Sequence, residues 1–190
     1  MYIKMSLNLN TQNGLLLQNL LKFYKKNNNM DRILPIINGE AKISLRLIDW
    51  FATNYSKKNY TVYILKDSAG KGKRFKVYID YKLKLKAYSK RRFDPFCRWD
   101  RITVPYKDDC HIQTTIGQLN FFRWAIENKI IDYIEMNFNT IHNDMNKRNS
   151  TSKNRKDKTT VKTRKRREEL SISASKSIKK EKVEIIVDFK

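Results

Sequence analysis

The chain has 190 residues, of which 41 are Lys or Arg and 19 Asp or Glu, giving a formal net charge of +22 at pH 7. A surplus of that size repels itself and does not help a domain fold, but it attracts polyanions over long range, so nucleic acid is the first partner to consider. No apolar run approaches the roughly 20 residues of a membrane span, and Met1 to Asn10 has no stretch suited to a signal peptide, so a protein that is neither membrane-spanning nor secreted is expected.

In chain order, Thr11 is placed to cap a helix through Leu15, Leu16, Leu20, Leu21, Phe23 and Tyr24, with Lys22, Lys25 and Lys26 at the end where the helix dipole favours cations. Asn27 to Asn29 close it. The apolar segment Ile33 to Ile37 is interrupted by Pro35 and followed by Asn38 and Gly39, which predicts at most one helical turn or a buried connector. Ser44 is the next N-cap, with Ile43 and Ile48 at the spacing of a hydrophobic staple. The helix it starts, Leu45 to Tyr55, sets Leu47, Ile48, Phe51 and Tyr55 on one face.

Phe75, Val77, Ile79, Tyr81, Leu83, Leu85 and Ala87 repeat with a period of two over thirteen residues, the pattern of a half-buried strand. Tyr60 to Leu65 upstream is rich in β-formers, and Gly70 and Gly72 lie between the two runs, so an antiparallel hairpin is expected. Asp94 and Pro95 end the pattern, and Ile102 to Val104 reads as a short strand stopped by Pro105. Thr115 and Gln118 form a capping box for the longest helix, with Leu119, Phe122, Ile126, Ile130, Tyr133, Ile134 and Ile141 as its apolar stripe. From Asn143 to Lys182 there are fifteen Lys or Arg against five Asp or Glu, with no aromatic residue and few apolar ones to offset the entropy of ordering.

These elements predict an α+β fold, a β-hairpin or small antiparallel sheet packed against about three helices, with a disordered basic C-terminal arm. Residues 1–142 form the core domain and 143–182 the tail. Residues 183–190, which include Ile185, Ile186, Val187 and Phe189, form a short apolar strand or a motif that docks on a protein partner.

The polar face of the expected long strand reads Lys76, Tyr78, Asp80, Lys82, Lys84, Lys86 and Tyr88. Its side chains would stand about 6.6 Å apart, a pitch at which lysines can follow a phosphate backbone and tyrosines can stack on bases or sugars. Lys71, Lys73 and Arg74 at the hairpin turn, and Lys90, Arg91, Arg92 and Arg98 after the strand, extend this face. The plainer reading is a solvated face whose lysines discourage edge pairing. In the tail, Lys162, Arg164, Lys165, Arg166 and Arg167 have the density of a phosphate-binding arm or an import signal.

Other chemistry finds less support. Cys97, Cys110, His111 and His142 lack the paired spacing of a zinc site, and the two cysteines read as free thiols of a reducing compartment. Asp80-Tyr81-Lys82 matches the Asp-x-Lys element of metal-dependent nucleases, with Asp67 as second carboxylate. On a hairpin turning near Gly70, however, Asp67 would lie about 20 Å from Asp80. Gly70-Lys71-Gly72-Lys73 lacks the rest of a phosphate-binding loop. No catalytic residue, metal or cofactor is therefore assigned, and Trp99 and Trp124 read as core residues.

The stretches Ile43-Ser-Leu-Arg-Leu-Ile-Asp-Trp-Phe-Ala-Thr-Asn-Tyr55, Arg91-Arg-Phe-Asp-Pro95 and Thr114-Thr-Ile-Gly-Gln-Leu-Asn-Phe-Phe122 resemble a small basic protein family carried by nucleocytoplasmic large DNA viruses. The Lys-, Asn- and Ile-heavy composition is similar to that of proteins from the AT-rich genomes of giant amoebal viruses. The resemblance covers about residues 40 to 145. It implies a viral setting, at the virion or a replication site in the host cytoplasm or nucleus, and it carries over no site residue. The expectation is a non-enzymatic nucleic-acid-binding protein, DNA before RNA, acting in genome packaging, the nucleoid, replication or transcription. One alternative is a structural or interaction protein of the virion that binds acidic protein or membrane surfaces, which tryptophans exposed on an apolar patch would favour. The other is a metal-dependent nuclease, which would need Asp80.

Overall fold

The computed structural model describes residues 11–66, 70–98, 101–106, 110–156 and 180–182. Thr11 accepts a hydrogen bond from the Gly14 amide at 3.1 Å and starts helix α1, Gln12–Lys25, which buries Leu17, Leu20 and Tyr24. After a single 3-10 turn, α2 spans Asn29–Asn38 and closes on Gly39, whose φ of 76° lies in the left-handed region that glycine favours. This corrects the lone turn expected around Pro35. The proline stands inside a ten-residue helix that buries Ile33, Leu34, Ile36 and Ile37. At about 1.5–3 kcal/mol per large aliphatic side chain, those burials outweigh the roughly 3 kcal/mol lost at one internal proline.

Ser44 accepts from the Leu47 amide at 3.2 Å and caps α3, Leu45–Trp50, and the staple residues Ile43 and Ile48 are both buried. The helix runs on through a π-helical turn, Phe51–Tyr55, into α4, Ser56–Lys58.

Strands β1, Val62–Lys66, and β2, Gly72–Lys76, form the expected antiparallel hairpin, with Val62 opposite Lys76 and Lys66 opposite Gly72. The second strand ends there. From Val77 to Phe93 the chain is helix α5, which corrects the long strand expected over Phe75 to Ala87. The cause lies in the pattern itself, because positions i, i+4 and i+8 belong both to a period of two and to a helical stripe. Val77 and Tyr81 are buried and Leu85 packs against the core, as either element would require. Ile79 and Leu83, which a strand would bury with them, are 51 % and 60 % exposed. Asp80 in the first turn, Lys90, Arg91 and Arg92 in the last, and the Leu, Lys and Ala between them all favour helix. A kink at Ser89 (φ 64°, ψ 167°) breaks the helical stripe before Lys90.

Strand β3, Arg101–Pro105, pairs antiparallel with β4, Cys110–Thr115, which pairs in turn with β5, Lys180–Lys182. Thr115 accepts from the Gln118 amide at 3.1 Å and starts α6, Ile116–Glu127. The long helix expected from this cap is three helices. α7, Ile130–Met136, follows a left-handed Lys129 (φ 52°), and α8, Phe138–Lys156, follows a break at Asn137. α8 also carries the chain past the tail boundary expected at residue 143. There Met145 is buried, and Asp144 accepts from the Trp50 indole at 3.2 Å while pairing with Lys58 at 3.4 Å. Residues 157–179 and 183–190, the remainder of the expected tail and its apolar tip, lie outside the described residues.

The result is the expected α+β fold, a two-stranded and a three-stranded antiparallel sheet on a helical body. α6 is the axis of that body, with nine of its twelve residues buried. The buried Tyr24 hydroxyl donates to the Leu119 carbonyl at 2.6 Å and ties α1 to it.

Candidate nucleic-acid interface

The hairpin, α5 and α6 surround a cavity of about 450 Å³. Strand alternation places it: on β1 and β2, Tyr63 and Phe75 turn toward the helices, their ring centroids 5.4 Å apart. Tyr63 stacks on Tyr133 at 5.0 Å, and its hydroxyl donates to the Asn128 carbonyl at 2.6 Å, which fixes the hairpin against the corner between α6 and α7. Burial, then the neighbouring Tyr133, Asp132 and Asp80, raises the Tyr63 phenol above its ordinary pKa and keeps it a neutral donor. Phe75, Phe93 and Trp124 line the cavity, each at most 6 % exposed, and Ile79 and Leu83 stand along it from α5.

Five cations border the same space: Lys73, Arg74 and Lys76 from β2, Lys84 from α5 and Arg123 from α6. The two carboxylates in its wall are engaged. Asp80 accepts from the Trp124 indole nitrogen at 2.7 Å, and Glu127 pairs with Arg123 at 2.8 Å. Among the described residues no carboxylate pairs with Lys73, Arg74, Lys76 or Lys84.

The structure divides the residues picked out by sequence. Lys73, Arg74, Lys76 and Lys84 converge on the cavity. Lys82 and Lys86, one helical turn apart, line a shallower groove on the other side of Ile79 and Leu83, together with Tyr78. The Lys57 ammonium lies 5.7 Å from the Tyr78 ring centroid. Lys71, Lys90, Arg91 and Arg98 are exposed, the first at the hairpin turn and the others beyond the kink. Arg92 serves the fold instead: its guanidinium donates to Asn13 at 2.7 Å and Gln12 at 3.0 Å, and its carbonyl accepts from Asn120 at 2.9 Å. Lys162, Arg164, Lys165, Arg166 and Arg167 lie outside the described residues. Arg123, Ile79, Leu83 and Trp124 belong to the cavity without having been expected there. Their convergence depends on α5 being a helix, so no signal in a strand-like pattern could have found it.

The remaining sequence candidates are also placed. Asp80, the nuclease-like carboxylate, sits on α5 against the indole, and Asp67 lies outside the described residues. Among the described residues no three His, Cys, Asp or Glu gather as metal ligands, and no helix is long and apolar enough to cross a membrane. Trp124 is buried as expected, Trp50 is half-buried, and Trp99 lies outside the described residues. The three stretches that carry the viral resemblance meet. Asn120 holds the Arg92 carbonyl, and a Cβ on Gly117 would come within 2.9 Å of the Asp94 carbonyl oxygen. Asp49 on α3 has its pKa pushed up to about 7, first by burial and then by the charge of Asp94.

Fold and cavity together define an α+β protein with a group of cations around a recess of mixed polar and apolar lining. The chain belongs to a family of unknown function, DUF7197, which matches it over residues 3–190. It is also 48 % identical over 131 residues to the uncharacterized protein L507 of Acanthamoeba polyphaga mimivirus, a match covering 66 % of this chain and 49 % of the viral protein. The chain thus spans about half the length of that curated relative, whose origin agrees with the giant-virus kinship expected from the sequence. No solved structure matches it.

Proposed function

We propose that this chain is a non-enzymatic nucleic-acid-binding protein of a large DNA virus, taking DNA before RNA and acting on the viral genome in packaging, the nucleoid, replication or transcription. One observation carries the reading: on a chain of net charge +22, Lys73, Arg74, Lys76 and Lys84 border one cavity whose carboxylates are already engaged. Phosphate suits such a group, since lysines meet it as point charges and arginine as a two-pronged donor. The virion or the viral replication site is the corresponding place of action.

The test is anisotropy of labelled single- and double-stranded DNA and RNA, titrated with the full chain at 50 and 200 mM salt. Affinity should fall by about 10³-fold or more across that range if six or more phosphates are met. Reversing Lys73, Lys76 and Lys84 together to Glu should weaken binding to every sequence and flatten the salt slope by about three. An affinity indifferent to salt would sink the proposal. A second reading, an interaction protein that meets an acidic protein surface, is favoured by Val62 and Ile64, 40 % and 65 % exposed opposite Lys76 and Arg74 on the hairpin. Polyglutamate binding as tightly as DNA of equal charge would decide for it.

A further inference from the structure

Phosphate contacts alone do not account for the recess beneath the cations. A chain that meets only a phosphate backbone needs no more than an exposed charged ridge. The cavity offers more. Four cations border it beside the half-exposed Ile79 and Leu83, with the edges of buried Phe75 and Trp124 beneath, and its volume of about 450 Å³ is that of a small-molecule site. Large aliphatic side chains left open to water, beside cations that pair with no carboxylate among the described residues, suit a ligand with one flat apolar part and one anionic part.

We infer that the cavity seats one unpaired nucleotide, its base against Ile79 and Leu83 and its phosphate among the four cations described above. The inference rests on the nucleic-acid reading and gives it a substrate class. In a duplex the bases are stacked and paired within, so only backbone and groove edges reach a protein, whereas an unpaired base presents a free face for contact. The shared chemistry is that of a nucleoside monophosphate, either free or as one unit of a strand.

The test compares the full chain's affinity for a twelve-nucleotide DNA strand, an abasic strand with the same number of phosphates, the matching duplex, and adenosine 5′-monophosphate. The intact strand should bind about ten-fold more tightly than the abasic one, the gain expected from seating a base. Leu83→Lys adds charge while removing an apolar contact at a 60 % exposed position that folding tolerates. It should erase the difference between the two strands without weakening the abasic one. Adenosine 5′-monophosphate binding as tightly as the strand makes the free nucleotide the occupant, and affinity that rises with strand length makes it a unit of a strand. Equal, salt-dependent affinity for intact and abasic strands would overturn the seat and leave nucleic-acid binding standing, as would a Leu83→Lys variant that gains equally on both. A protein that binds neither strand nor duplex would overturn the underlying reading instead.

Discussion

Helices α5 and α6 pack against each other yet stand in opposite relation to water. α6 buries nine of its twelve residues and carries one cation, Arg123, already paired with Glu127. α5 is longer, at seventeen residues, but buries only Val77, Tyr81 and Phe93, and it holds six Lys or Arg against the single Asp80. Packing dictates nearly every side chain of α6. On α5 it dictates a narrow stripe, which leaves the outer surface free to carry charge and the exposed Ile79 and Leu83. A helix whose composition is not set by burial is where binding residues can be placed at little cost in stability.

The largest test of that contrast is a pair of substitutions read by urea unfolding. Phe121→Ala on α6 removes a fully buried ring that contacts Tyr81, Phe93, Phe122 and Trp124, and should cost about 3–5 kcal/mol. Leu83→Ala on α5 should stay within about 0.5 kcal/mol. Comparable losses from the two would mean that Leu83 is buried, as on the half-buried strand that the alternating pattern predicts.

A somewhat smaller effect is expected from pH. Asp49 has a folded-state pKa of about 7 against an ordinary value of 3.8, because burial and the charge of Asp94 disfavour its ionised form. The native state therefore holds the proton more tightly than the unfolded chain, so this residue's contribution is complete below about pH 4, declines as pH rises toward 7, and levels off above it. Asp49→Asn should flatten that decline, making the variant more stable than the parent at pH 8 by about 2–4 kcal/mol. A parent and variant whose unfolding midpoints run parallel from pH 4 to 8 would place Asp49 in water.

Local chemistry is the part of this fold that its sequence makes legible. Thr11, Ser44 and Thr115 each accept a hydrogen bond from an amide three residues on, and that geometry needs no knowledge of the rest of the chain. The hairpin is legible for the same reason. Several inferences that depend on what lies opposite do not hold. Pro35 is tolerated because four neighbours in α2 are buried. α8 runs on past Asn143, where Asp144 meets Trp50 and Lys58 from other elements. The alternation over Phe75 to Ala87 satisfies two periods, and contact with α6 selects the helical one. Lys73, Arg74, Lys76 and Lys84 stand out in the sequence as a basic group, but the recess they border exists only after β2, α5 and α6 are assembled.

The smallest effect probes the junction that holds α5 to α6. Gly117 lies in the first turn of α6, where a Cβ would meet the Asp94 carbonyl oxygen at 2.9 Å, the Arg91 carbonyl oxygen at 3.0 Å and the Phe93 amide nitrogen at 3.3 Å. Helix propensity alone argues that Gly117→Ala should stabilise the protein by up to about 1 kcal/mol. The contacting atoms are backbone, however, and two belong to the closing turn of α5, so they cannot swing aside as a side-chain tip would. Crowding of this kind costs about 1–3 kcal/mol, which exceeds the propensity gain, and a net loss of roughly 1 kcal/mol in urea unfolding is expected. The sign decides the matter. A stabilised variant would mean that α5 ends farther from α6 than these contacts require, and the cavity between the two helices would then be wider than the one assigned to a single nucleotide.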